Sequence, residues 1–331
     1  MRLVLHVGMG KTGTSSIQKA LEANQAGLKA QKARYLGMWF DFVDPRYQGV
    51  QGMRAVFDSP PDALEEFAEV TVERLREIEA RDGVDTFIFS NEDLYGRIQK
   101  LDPFLSVLKR SLDLSIVMYV RDIHSWLPSA YAQWGIHHKV QQGPVKTFAE
   151  DAPRLVKTYR AIALWQEKHG PHMIFRKYDK STDVVGGFAE AIGKKLEPVP
   201  ARHLERAEPA ELLLRAAFNN RFPGEVFPGK FNRAVVNTHA APVPRLETAI
   251  ENYLDYSAVD AVIAPDREIL ERISAGIGVD FLNGDKEAIR PPARADLEER
   301  LFDYMIAIVL NQAQRIQALE KTVRDLKAEN D

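Results

Sequence analysis

The chain has 331 residues, 45% hydrophobic and 27% charged, and its 44 Lys and Arg against 47 Asp and Glu leave a formal net charge of -3. That balance builds a substantial core and excludes a general attraction to nucleic acid or to an anionic membrane surface, so any anion site must be local. The absence of cysteine excludes disulfides, thiolate metal sites and a cysteine nucleophile, and fits a reducing compartment.

The opening run "LVLHVG" after a single Arg is too short for a signal peptide, and no apolar run approaches the roughly 20 residues of a membrane helix. A cytoplasmic protein without a transmembrane segment is therefore expected. Residues 3–7, 86–90, 114–120 and 172–178 are short apolar runs, β-branched or aromatic in character, and read as buried parallel strands. Between them, Ile17, Ala20, Leu21 and Leu28 share one helical face, as do Leu64, Phe67, Val70, Leu75 and Ile78. Strands alternating with helices predict an α/β fold with a parallel sheet of about four to five strands, right-handed crossovers and ligands at the carboxyl ends of strands.

From about 199 to 283 the pattern is helical with loops, including "AELLLRAAFNN" and "DREILERISAGI", while "RFPGEVFPGKFN" reads as a surface loop. After "RPPARAD" one long helix is expected. Phe302, Val309, Ile316 and Val323 recur every seven residues, as do Met305, Gln312, Leu319 and Leu326, which is a heptad pattern. Such a helix forms a coiled coil that makes a homo-oligomer, or folds back on its own domain. The expected division is an α/β domain over residues 1–290 and the heptad helix over 295–329.

The stretch "LHVGMGKTGTSSIQKAL", residues 5–21, passes from strand to Gly-containing turn to helix. Gly10, Lys11 and Thr12 match the tail of the phosphate-binding pattern G-x-x-x-x-G-K-[ST], but Leu5 stands at its leading Gly. Gly13 then introduces Thr14, Ser15 and Ser16 at the start of the helix. Backbone N–H groups from Lys11 to Ser16 can wrap an anion, the helix dipole adds attraction, and hydroxyls with one ammonium complete the shell.

"GMGKTGTSSIQKAL" resembles the 5′-phosphosulfate loop of sulfotransferases that use 3′-phosphoadenosine 5′-phosphosulfate (PAPS), especially bacterial members with the form K-T-G-T-[ST]-[ST]-x-Q. The resemblance extends over roughly residues 1–285 and implies a fold like that of P-loop kinases. It assigns Lys11, Thr12, Gly13, Thr14, Ser15 and Ser16 to the phosphosulfate. The family binds the 3′-phosphate with an Arg ending a strand and a Ser eight residues on, matched by Arg121 and Ser129 in "IVMYVRDIHSWLPSAYAQW". Physically, Arg offers a planar fork for phosphate oxygens and Ser a neutral donor. "FRKYDK" resembles the motif whose Tyr lies near the adenine, which makes Tyr178 a cofactor-binding candidate.

By the same resemblance Lys11 neutralises charge on the bridging oxygen, and the product is 3′,5′-ADP. Many carbohydrate and bacterial types use Glu as base after the second strand, where "FIFSNEDLY" supplies Glu92. An exposed Glu ionises near 4.3 and is a poor base for a hydroxyl, so Glu92 requires burial or the neighbouring Asp93 to raise it. His124 is the reserve base. His6 reads as a buried strand histidine, and the adjacent His137 and His138 face different directions without a metal site. The resemblance implies that "YAQWGIHHKVQQGPVKTF" lines the acceptor entrance, where Tyr131, Trp134 and Lys139 suit a carbohydrate, glycolipid or small hydroxyl metabolite. Two alternatives remain open: an ATP-dependent small-molecule kinase, which needs a strand-end Asp for Mg²⁺, and a non-catalytic nucleotide-binding oligomerisation module.

Overall fold

The computed structural model describes residues 1–179, 181, 183–198, 209–234, 245–284 and 286–328. The chain divides into two compact units that do not follow chain order. One comprises Met1–Trp126, Val156–His203 and Pro265–Asp285; the other comprises Leu127–Leu155, Leu204–Ala264 and Lys286–Asp331.

The first unit is built on a five-stranded, all-parallel sheet flanked by helices, in the order β2-β3-β1-β4-β5. These are β1 (Arg2–His6), β2 (Ala33–Tyr35), β3 (Thr86–Ser90), β4 (Asp113–Arg121) and β5 (Met173–Tyr178). Four of them match the expected runs within a residue or two at each end. The fifth, β2, is only "ARY", too short to carry a hydrophobic pattern, and is specified by pairing Ala33 to Thr86 and Tyr35 to Ile88. Strands β1 and β3 are buried almost throughout, which is why they read as continuous apolar runs. The chain passes from β3 to β4 across β1, so strand order reverses at the carboxyl end of β1, where such sheets bind ligands.

Each sheet face has its own core. On one, Phe40 stacks on Phe89 at 4.8 Å and meets Phe67 edge-on at 5.3 Å. On the other, Val4, Ile17, Leu21, Ile88, Val117 and Phe188 pack together. Ile17 and Leu21 belong to α1 (Thr14–Ala23), whereas Leu28 lies in the next helix, Gln25–Ala30, beyond a break at Asn24. The helix Pro61–Asp82 starts on a proline and ends at Gly83, whose φ of 68° is the left-handed stop that favours glycine. Its buried face is Leu64, Ala68, Thr71, Val72, Leu75 and Ile78; Val70 is 49% exposed. Val70 thus leaves the expected face, because a 3.6-residue period carries the core from Ala68 to Thr71 and Val72.

His6 is fully buried, as its strand position predicts. Its Nδ1 lies 2.8 Å from the hydroxyl of its register partner Ser90, and its ring is 5.3 Å from that of Phe188. Burial pushes its pKa from 6.5 down to about 3. Between those values the unfolded chain takes up a proton that the folded chain refuses, so stability falls as pH drops through that window. Urea unfolding should show this slope in the wild type and a flatter one in His6→Asn; equal slopes would remove His6 as the cause.

In the second unit, "AELLLRAAFNN" falls in the helix Pro209–Asn219, and in the first, "DREILERISAGI" falls in Arg267–Ile277. The expected surface loop "RFPGEVFPGKFN" is partly structured: Val226 is buried, its N–H donates to the Lys139 carbonyl at 2.9 Å, and a helix Pro228–Ala234 follows. The expected segments at 199–208 and 235–244 lie outside the described residues, as do Lys180 of "FRKYDK" and residue 329 of the final helix. That helix runs without interruption from Arg294 to Ala328. Among the described residues, no helix is long and apolar enough to cross a membrane.

Candidate active site

The turn after β1 stays laddered to β4: the Val7 and Met9 N–H groups donate to the Val117 and Tyr119 carbonyls at 3.1 Å, and Tyr119 N–H donates to Gly8 at 2.9 Å. Gly8 has φ 93°, and a Cβ there would come within 3.1 Å of Glu92 Cβ. Absence of a side chain at Gly8 therefore lets Glu92, two residues beyond β3, close against the loop. Lys11 adopts φ 67°, uncommon for a residue with a Cβ, and Gly13 follows at 84° as the N-cap of α1 without a side-chain cap. These left-handed turns bring the loop into the helix N-terminus.

The loop hydroxyls divide by role. Thr12 is buried and donates to the Met9 carbonyl, which braces the turn internally. The Thr14 hydroxyl is buried without a hydrogen-bond partner in the protein, a costly arrangement. Ser15 is half-buried and Ser16 exposed at the first turn of α1.

Arg121, the last residue of β4, reaches back to this turn. Its Nη1 donates to the Lys11 carbonyl at 3.0 Å, its Nε donates to Ser125 Oγ at 3.0 Å, and its guanidinium lies 5.4 Å from the centre of the Tyr178 ring. Tyr178 ends β5, and a Cβ on Gly13 would come within 3.3 Å of its Cε2. Lys11, Gly13, Arg121 and Tyr178, scattered over the sequence, are thus gathered at the carboxyl ends of adjacent strands. Trp126 Nε1 donates to the Gly10 carbonyl at 2.9 Å, and the Tyr159 hydroxyl donates to the Arg121 carbonyl at 2.6 Å. No motif announced either brace.

Glu92 stands on the other side of the loop, at the start of a 3₁₀ turn, Glu92–Arg97, capped by Asn91, whose side chain accepts from the Asp93 N–H at 2.7 Å. Gln18 of α1 donates to the Ser90 carbonyl at 2.9 Å and more weakly to Glu92 Oε2 at 3.4 Å. Burial raises the Glu92 pKa above its ordinary value and the Asp93 charge raises it further, while its own backbone N–H and Gln18 oppose the rise. Both conditions for a usable carboxylate base, burial and a neighbouring acid, are present.

His124 is 3% exposed and held in the cap of the helix Ile123–Tyr131, its Nδ1 3.4 Å from Asp122 Oδ1. Asp122 also accepts from the His124 and Ser125 N–H groups at 3.2 and 2.8 Å. Burial alone would raise its pKa, but these hydrogen bonds outweigh it and hold the carboxyl below its usual value. Ser129 is buried on the same helix, within the second unit.

Of the expected acceptor-entrance residues, Tyr131 and Lys139 require correction. Tyr131 is fully buried and donates to the Lys146 carbonyl at 2.6 Å. Lys139 is 1% exposed, with its ammonium donating to the carbonyls of Gly143, at 2.7 Å, and Phe222; burial, with Lys230 adding, lowers its pKa. Both are internal parts of the second unit, because converging carbonyls can replace water around a buried ammonium. Trp134 is half-buried. His138 pairs with Glu225 at 2.9 Å and stacks on Phe227. Among the described residues, no group of three or more His, Asp and Glu is placed to hold a metal ion. No protein-family model matches the chain, and no curated protein matches it.

Proposed function

We propose that this chain is a sulfotransferase that moves the sulfuryl group of PAPS to a hydroxyl of a carbohydrate, glycolipid or small metabolite, without a metal. The observation that carries the reading is the docking of Arg121 on the Lys11 carbonyl, which sets a second cation beside an anion-binding turn 110 residues away. The strand order and the turn into α1 support a P-loop-like fold. The unpartnered Thr14 hydroxyl and the uncapped N-terminus of α1 fit a phosphosulfate group.

When bound, PAPS supplies a sulfuryl group on a phosphate leaving group. Amides from Lys11 to Ser15 with the Thr14 hydroxyl would hold its phosphosulfate end, Arg121 would meet its 3′-phosphate, and Tyr178 would meet the adenine. Lys11 neutralises charge that grows on the bridging oxygen, and Glu92 takes the proton of the acceptor hydroxyl. Charge stabilisation and alignment do the remaining work, as in phosphoryl transfer. The kinase alternative is weaker because Asp122, the carboxylate next to the strand end, is engaged by the His124 and Ser125 N–H groups.

Thermal unfolding with 3′,5′-ADP, 5′-ADP and Mg-ATP tests the reading. A ligand at about 100 times its Kd stabilises by about 2.7 kcal/mol, so 3′,5′-ADP should raise the midpoint well above the other two. In Arg121→Ala that preference should disappear, with 3′,5′-ADP bound roughly 10- to 100-fold more weakly, the loss of one charge-assisted contact. Equal or greater stabilisation by Mg-ATP would replace the sulfotransferase with the kinase.

A further inference from the structure

The final helix, Arg294–Ala328, begins inside the second unit, where Leu297 is 2% exposed. Beyond it the apolar residues turn outward. Phe302, Met305, Val309, Ile316, Leu319 and Val323 are each more than half exposed. With Gln312 filling the place between Val309 and Ile316, they form a stripe at alternating spacings of three and four residues, running about 30 Å along the axis at 1.5 Å per residue, while Leu310, 59% exposed, lies off it. A patch of this size on one helix marks an interaction surface.

We infer that the occupant of this stripe is the same stripe of a second copy, in a parallel, in-register, two-stranded coiled coil. Side-chain chemistry selects each part of that statement. Placing Phe302 at heptad position a puts Val309, Ile316 and Val323 at a, and Leu319 at d. β-branched residues at a with Leu at d favour two strands over three or four. Arg315 then falls at g and Glu320 at the following e. In a parallel pair, g of one helix faces the next e of its partner, so two Arg–Glu contacts form across the seam. An antiparallel pair sets g against g and e against e, and forms neither. Gln312, at d, meets its own copy in this register; a polar core residue is best tolerated against its equivalent, and slipping the register would set it against apolar residues. The Leu326 side chain, at the following d after Leu319, lies outside the described residues.

This inference is independent of the cofactor reading. Sedimentation equilibrium of the full chain at micromolar concentration should give twice the mass of one chain. Because the chain lacks cysteine, Leu319→Cys gives a clean probe of direction: mild oxidation should produce a covalent dimer only where d meets d in parallel register. Arg315→Glu should weaken dimerisation about tenfold by setting like charges together, and adding Glu320→Arg should restore it. Ile316→Asp with Leu319→Asp should give a monomer whose 3′,5′-ADP response is unchanged, since both positions are exposed in the single chain. A single-chain mass for the wild type, or a trimer or larger, overturns the inference. A dimer in which Leu319→Cys does not cross-link overturns the parallel register.

Discussion

Lys11→Ala is expected to lower kcat for sulfuryl transfer about 10³-fold, measured as release of 3′,5′-ADP from PAPS in the presence of a hydroxyl acceptor. The ammonium is assigned to charge that grows only as the bridging bond breaks, so the loss should fall on kcat and leave 3′,5′-ADP binding nearly intact. The substitution is clean in backbone terms. Alanine keeps the Cβ that Lys11 already carries at φ 67°, and the carbonyl that accepts from Arg121 is unaltered. Retention of wild-type kcat would remove Lys11 from the chemistry; a large loss of 3′,5′-ADP affinity would make it a binding residue.

Glu92→Gln should cost roughly 10²- to 10⁴-fold in kcat/KM, the usual contribution of a positioned base. In the wild type, kcat/KM should rise with pH through the raised pKa of Glu92 and level off above it, because only the ionised carboxylate accepts a proton. That limb should be absent from Glu92→Gln. Gln18→Ala should move it to higher pH, since the Gln18 amide favours the ionised form. Stability supplies a separate check with the opposite sign. Between the unfolded and folded pKa values the folded chain holds a proton that the unfolded chain has lost, so stability falls as pH rises and the full penalty persists above the folded pKa. Glu92→Gln should therefore unfold at a higher temperature than wild type at neutral pH, with the difference vanishing in acid. An undiminished rate in Glu92→Gln would transfer the base role to His124.

Much of the first unit was legible in the sequence because its central strands β1 and β3 are buried almost throughout and the turn after β1 is local. Residues 10–16 are neighbours in the chain, so the Gly, Lys and hydroxyl cluster announced a turn opening a helix, while the positive φ at Lys11 appeared only in the structure. What went unread depended on partners distant in the chain. Three residues make β2 only because β3 offers an edge, and Val70 faces out because the 3.6-residue period of its helix turns Thr71 and Val72 to the core instead. Lys139 read as an acceptor contact because the resemblance places such residues after this helix; the Gly143 and Phe222 carbonyls that draw it inside lie 4 and 83 residues away.

By itself, the sequence determined the parallel α/β class, the turn after β1, and a long final helix with a repeating apolar stripe, all properties of short-range order and periodicity. Only the tertiary structure decided that Gly8 admits Glu92 to the loop, that Gln18 touches that carboxylate, and that Arg121 docks on Lys11 beside Tyr178. The physical reason lies in range. Backbone propensity and hydrophobic period act over a few residues, whereas pKa shifts, unpartnered hydroxyls and cation placement arise where strands distant in the chain are packed side by side and water is excluded.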